Sequence, residues 1–112
     1  MTDEDFRTLA LGLPETSEGK HEGRPTFLVR GRRFATLGWP GPHDVAIVLD
    51  VGELDLLMAA APLAIERAPG AWGQRGHAHL NLAIADDSTV RSVLIMAWRR
   101  CAPARLARSF EP

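Results

Sequence analysis

Residues 24–39, RPTFLVRGRRFATLGW, constrain this chain more than any other stretch. They read as two β-strands folded back on a Gly31-Arg32 turn, with arginines crowding the tip. Gly at the first loop position suits a type II′ hairpin turn. In that register Arg30 lies opposite Arg33, Val29 opposite Phe34, Leu28 opposite Ala35 and Phe27 opposite Thr36. Phe27, Val29 and Phe34 then share one face, which must be buried. Arg30 and Arg33 stand side by side, a like-charge pair that calls for an anion or carboxylate between them.

The flanks supply the other elements. Thr2 is a good N-cap, with Asp3, Glu4 and Asp5 in the positive first turn of a helix. Phe6, Leu9, Ala10 and Leu13 follow one helical face, and Gly12 and Pro14 end it. Residues 15–23 are polar and suit a loop or an exposed edge strand. WPGPH at 39–43 is a turn cluster, and VAIVL at 45–49 reads as a strand buried on both faces. Asp50 opens a second helix, with Glu53 placed as in a capping box and Leu54, Leu57, Met58 and Ala61 as its buried stripe. Residues 62–69 suit a further helical turn, and 69–76 a loop. From His77 to Ala85 the chain alternates: Leu80, Leu82 and Ile84 point one way, His77, His79 and Asn81 the other. Asp86 or Asp87 caps a long helix whose buried face is Val90, Val93, Leu94, Ala97, Trp98 and Cys101. Pro103 starts a short last helix in which Leu106 and Phe110 pair. Local hairpins and segregated helices predict an α+β domain, an antiparallel sheet with helices packed on one face. The 112 residues form a single expected domain, with no repeat or linker.

Composition narrows the function classes. Net charge is −1, so no global field recruits nucleic acid or an acidic membrane, and any such binding needs a local patch. The single cysteine, Cys101, allows no internal disulfide and suits a reducing compartment. No apolar run reaches the roughly 18 residues of a membrane span, and the acidic start MTDEDF lacks a signal-peptide pattern, so the expected location is the cytoplasm with no membrane partner.

Three blocks carry a family resemblance: LGLPETSEGKHEGRPTF, then VRGRRFATL, then HLNLAIADDSTVRSVLIMAWRRCAP. In their order and spacing they resemble the MmcQ/YjbR family of small bacterial proteins. The resemblance implies a CyaY-like α+β fold and a "double wing" arrangement predicted to bind DNA. It defines no catalytic residues.

The residues offer three candidate functions. The first is weak, sequence-tolerant nucleic-acid binding, with DNA as the partner. Arg30, Arg32 and Arg33 at the hairpin tip would contact phosphates, supported by Arg24 and Lys20. Glu15, Glu18 and Glu22 lie just upstream and can neutralise the patch. Arg99, Arg100, Arg105 and Arg108 form a second basic group, which complements a helix dipole unless it lies beside the tip. The second candidate is a protein-interaction or self-associating module, a homodimer included, with the loop tryptophans Trp39 and Trp72 as anchors. The third is a ligand pocket or enzyme using His77, His79, Asn81 and Trp72. His77 and His79 share a strand face at a spacing seen in metal sites, with His21, His43, Glu22 and Asp44 as the only further ligands to consider; exposed strand histidines without a metal are the expectation. Gly73-Gln74-Arg75-Gly76 matches a GxxG clamp, but it leads into a strand instead of joining two helices. No G-x-S-x-G, phosphate-binding loop, H-E-x-x-H or cysteine pair is present, so no catalytic residue, metal or cofactor is expected.

Overall fold

The computed structural model describes residues 1–110. Helix α1 (Asp3–Leu11) leads into an antiparallel sheet built from β1 (Thr16–His21), β2 (Arg24–Val29), β3 (Arg32–Leu37) and β4 (Asp44–Val48). Then come α2 (Val51–Ala60), β5 (Ile65–Arg67), α3 (Gly70–Gln74), β6 (His77–Asn81), α4 (Asp87–Cys101) and α5 (Ala104–Ser109). The strands lie in the order β1-β2-β3-β4-β6-β5, so β1 and β5 are the edges. The α+β reading of the sequence holds, with a six-stranded sheet.

The helices start where the sequence marks them. Thr2 Oγ1 accepts from the Asp5 N–H while the Asp5 carboxylate accepts from the Thr2 N–H, a reciprocal cap. Those bonds hold the Asp5 carboxyl below its ordinary pKa. Asp86, not Asp87, caps α4 by accepting from the Thr89 N–H at 2.7 Å. Asp50 sits at the N-cap of α2 but makes no side-chain cap bond, so the expected capping box is absent there.

Sheet parity decides which side chains meet the helices. Phe27, Ala35, Leu37, Val45, Ile47, Ala78, Leu80 and Ile65 share one face through their cross-strand pairing, and all are buried. Phe6 and Ala10 of α1, Leu54 of α2 and all six apolar-face residues of α4 join them in one core. Phe6 meets Phe27 edge-on at 5.7 Å. Trp98 is fully buried, donates its indole N–H to the Pro14 carbonyl at 3.1 Å and meets Phe110 at 5.1 Å. The opposite face carries Thr26, Thr36, Ala46, Val48, His77, His79 and Asn81.

Several expectations are corrected. The hairpin loop is Arg30-Gly31, not Gly31-Arg32: φ is 49° at Arg30 and 80° at Gly31, and Val29 pairs with Arg32. Two positive φ values make a type I′ turn, whose twist matches that of the strands. Arg30 therefore does not face Arg33; Leu28 does. A bulge follows, since Phe27 pairs with Ala35, leaving Phe34 as the extra residue on β3. Phe34 and Ala35 are consequently buried in succession, and Phe27, Val29 and Phe34 all reach the core as expected. Strand β4 is buried on one face only. Residues 15–23 hold an edge strand, one of the two forms expected there, whereas residues 62–69 hold β5 instead of a helical turn and α3 occupies part of the expected loop at 69–76. Strand β6 stops at Asn81, and Ile84 is exposed. Only Leu54 of the α2 stripe is fully buried.

Candidate nucleic-acid interface

The register shift at the hairpin separates its arginines. Arg32 shares the helix side with Val29, and its guanidinium donates to the Cys101 carbonyl at 3.2 Å, at the end of α4. The Cys101 thiol donates back to the Arg33 carbonyl at 3.5 Å. Arg30 makes a two-pronged pair with Glu15, at 2.6 and 3.1 Å. The pair lowers the Glu15 pKa and raises that of Arg30. Arg7 donates one bond to Glu18 at 2.5 Å. The hairpin tip is thus tied to the body on both sides of Gly31, and its charge is partly cancelled.

Arg33 goes the other way. Paired with Leu28, it projects from the open face of the sheet. There it lines a recess of about 230 Å³ together with His21, Glu22, Arg24, Thr36, Trp39, Ala46, Val48 and His77. Cross-strand pairing explains most of this set: His21 faces Arg24, Thr36 faces Ala46, and Val48 faces His77. Small side chains make the floor, and larger ones make the walls. Arg24 donates to the Gly38 carbonyl at 3.0 Å and lies over the Trp39 ring at 4.5 Å. Trp39 is 43% exposed and Trp72 59% exposed. Trp72 meets the His77 ring edge-on at 4.9 Å, with Arg75 5.5 Å from the indole centre.

His77 reports the local field. Partial burial pushes its pKa below the usual imidazole value, and Arg100, Arg75 and Arg33 push it further. Those three cations come from the end of α4, the residue after α3 and β3. No ion-pair partner for them, or for Lys20, occurs among the described residues. Glu22 is the carboxylate lining the recess, and Asp50 and Glu53 share a neighbouring hollow with Arg99 and Arg100. A bound phosphate at this rim would gain from all three arginines in a partly dry setting.

Gly76 fixes where His77 sits. Its carbonyl accepts from the Leu49 N–H at 2.9 Å, and a Cβ at this position would lie 1.9 Å from the Leu49 carbonyl oxygen. Only a glycine lets β6 start so close to the end of β4.

The histidine and asparagine candidates divide. His77 belongs to the recess beside Arg33, whereas His79 and Asn81 line a separate shallow hollow with Glu66 and Asp44. Asn81 uses its side-chain oxygen to accept from the Ala83 N–H at 2.8 Å, which shapes the turn after β6. His79 Nδ1 lies 4.0 Å from Glu66. Among the described residues no three metal-ligating side chains cluster, and no helix is long and apolar enough to cross a membrane.

Of the sequence candidates, then, Arg24, Arg33 and His77 come together, and Arg30 and Arg32 are held elsewhere. Arg75 was seen only as part of a turn, Arg100 only as part of the second basic group, and Trp39 as a partner anchor and not as a wall of the recess. One signal was available: the alternation that buries Phe34 already puts Arg33 on the side away from the helices.

The sequence model of the YjbR family matches residues 11–100. The fold is similar to the crystal structure of Deinococcus radiodurans protein DR2400, a DUF419 domain, with a TM-score of 0.72 and 17% identity over 88% of this chain and 77% of that one. At that identity the likeness concerns the fold alone. No curated protein matches. With the family match spanning most of its elements, from the end of α1 into the last turn of α4, this chain belongs to the YjbR family.

Proposed function

We propose that this chain binds nucleic acid in a sequence-tolerant way, through the open face of its sheet and not through the hairpin tip. One observation carries the reading. Arg24 and Arg33 line a recess with His77 and an exposed tryptophan, Arg75 lies against the Trp72 ring that meets His77, and the field of Arg100 reaches His77 as well. Arg24 extends the positive surface, Lys20 pairs with Pro25 and so lies on the other face of the sheet, and Arg30 and Arg32 serve to hold the hairpin in place. Phosphate contacts of this kind give affinity without base readout.

Fluorescence anisotropy with labelled oligonucleotides tests the proposal. Three arginine–phosphate contacts give a log–log salt slope of about −2.1 to −2.7, so affinity falls roughly 20- to 40-fold between 50 and 200 mM salt. Each of Arg33→Ala, Arg75→Ala and Arg100→Ala should reduce the slope by nearly one. No binding at 50 mM salt, or a slope indifferent to all three substitutions, refutes it.

A second reading, self-association, draws on the exposure of Leu56 at 74% and Leu63 at 81% beside the β5 edge. Sedimentation velocity across a hundredfold concentration range separates the two, because polyanion binding needs no second copy.

A further inference from the structure

We infer that the nucleic acid this face takes is single-stranded, with one unpaired base seated in the recess between Trp39 and His77. The inference rests on the proposed function and narrows its substrate class.

Three features lead there. The hairpin cannot act as a prong for a duplex groove, because Arg30 is fastened to Glu15 and Arg32 to the end of α4. Arg24 and Arg33 instead border a concavity lined by Thr36, Ala46 and Val48. A recess of about 230 Å³ lies below the usual range for whole ligand pockets, which suits one flat ring and not a larger molecule. Bases in a duplex are stacked inward and unavailable to such a recess, whereas a single strand splays them onto aromatic side chains. Trp39, with the Arg24 guanidinium 4.5 Å from its ring, supplies aromatic surface in the recess itself, and Trp72 meets the His77 ring beside it.

The floor also holds a polar handle. The Thr26 hydroxyl donates to the Ala35 carbonyl at 3.1 Å. Its single proton is thereby used, so in the 3.1 Å contact between the two hydroxyls Thr36 is the donor. The Thr36 oxygen keeps acceptor capacity for a base N–H. From the seated base, the strand's phosphates pass Arg33 and continue toward Arg75 and Arg100. Arg33 thus links base seating to the phosphate rim.

The test compares dT12, rU12 and a 12-base-pair duplex on the full-length chain at 50 mM salt, by anisotropy and tryptophan quenching. The expected result is single-strand affinity roughly tenfold or more above that of the duplex, with the DNA and RNA arms showing which sugar is preferred. Trp39→Ala should weaken single-strand binding roughly tenfold and leave duplex binding nearly unchanged. Ala46→Leu, which fills the recess and removes no contact, should do the same, with circular dichroism confirming that both variants fold. Equal affinity for duplex and single strands, or single-strand binding unmoved by both variants, overturns the inference while the polyanion reading stands. No binding of any of the three overturns both.

Discussion

Replacing Gly76 by Ala tests the packing that positions His77. Two costs add. Gly76 has φ 96°, a conformation that costs a non-glycine residue about 1–3 kcal/mol. The new methyl would also lie 1.9 Å from the Leu49 carbonyl oxygen and 3.0 Å from its carbon. Both are backbone atoms, so relief requires the end of β4 and the start of β6 to separate, breaking the 2.9 Å bond between them. Overpacking of this kind costs about 1–3 kcal/mol. The sum, about 4 kcal/mol, is a large fraction of the 5–15 kcal/mol typical of a whole domain. It corresponds to a fall in Tm of roughly 15 °C. Gly31→Ala is the control. Gly31 has φ 80°, but nothing lies within 4 Å of a Cβ there, so only the conformational cost applies. Urea denaturation followed by circular dichroism gives both values. Should Gly76→Ala destabilise no more than Gly31→Ala, the close approach of β6 to Leu49 is not the constraint argued here. Because His77 follows directly, Gly76→Ala should also weaken oligonucleotide binding, and Gly31→Ala should not.

The remaining predictions concern the core, the histidine and the hairpin. Trp98→Phe removes the indole donor to the Pro14 carbonyl and part of a fully buried ring, at about 2–4 kcal/mol; a loss under about 1 kcal/mol by urea denaturation contradicts the burial argument. His77 has a lowered pKa in the folded chain, so the unfolded chain takes up that proton first as pH falls. Stability therefore declines below about pH 6.5, the ordinary imidazole value, until the folded pKa is passed; His77→Gln should be measurably less sensitive between pH 7.5 and 5.5, and an unchanged slope counts against it. A bound polyanion offsets the arginine field, so the His77 pKa, read by NMR titration, should rise on adding oligonucleotide, and no rise argues against phosphates at that rim. Glu15→Gln releases Arg30, yet on the open-face reading affinity should change by less than about twofold, since exposed charge on the far side is screened. A marked tightening would restore the hairpin tip as the contact.

Local signals made most of the fold legible. The cap at Thr2 and the unbroken apolar face of α4 depend on neighbours a few residues away and form as the sequence indicates, and the alternation of β6 holds as far as Asn81. Short segments were harder. Strand β5, only Ile65–Arg67, carries too few residues to show a period and forms because the edge of β6 is there to pair with. Helix α3 follows from close packing: a Cβ at Gly73 would lie 1.9 Å from the Ala68 carbonyl oxygen, a contact that nothing in PGAWGQRG announces.

The candidate site divides along the same line. Sequence alone supplied the cations, the loop tryptophans and the hairpin, because these are properties of residue types and of turns. Which arginines face water and which face the helices was decided by the fold. The type I′ turn took Arg30 out of its pairing with Arg33, the bulge at Phe34 exchanged Ala35 and Thr36 so that Ala35 entered the core and Thr36 joined the open face, and Arg32 reached the end of α4. The fields of Arg75, Arg100 and Arg33, from elements far apart in the chain, all reach His77, and no local pattern encodes such a convergence.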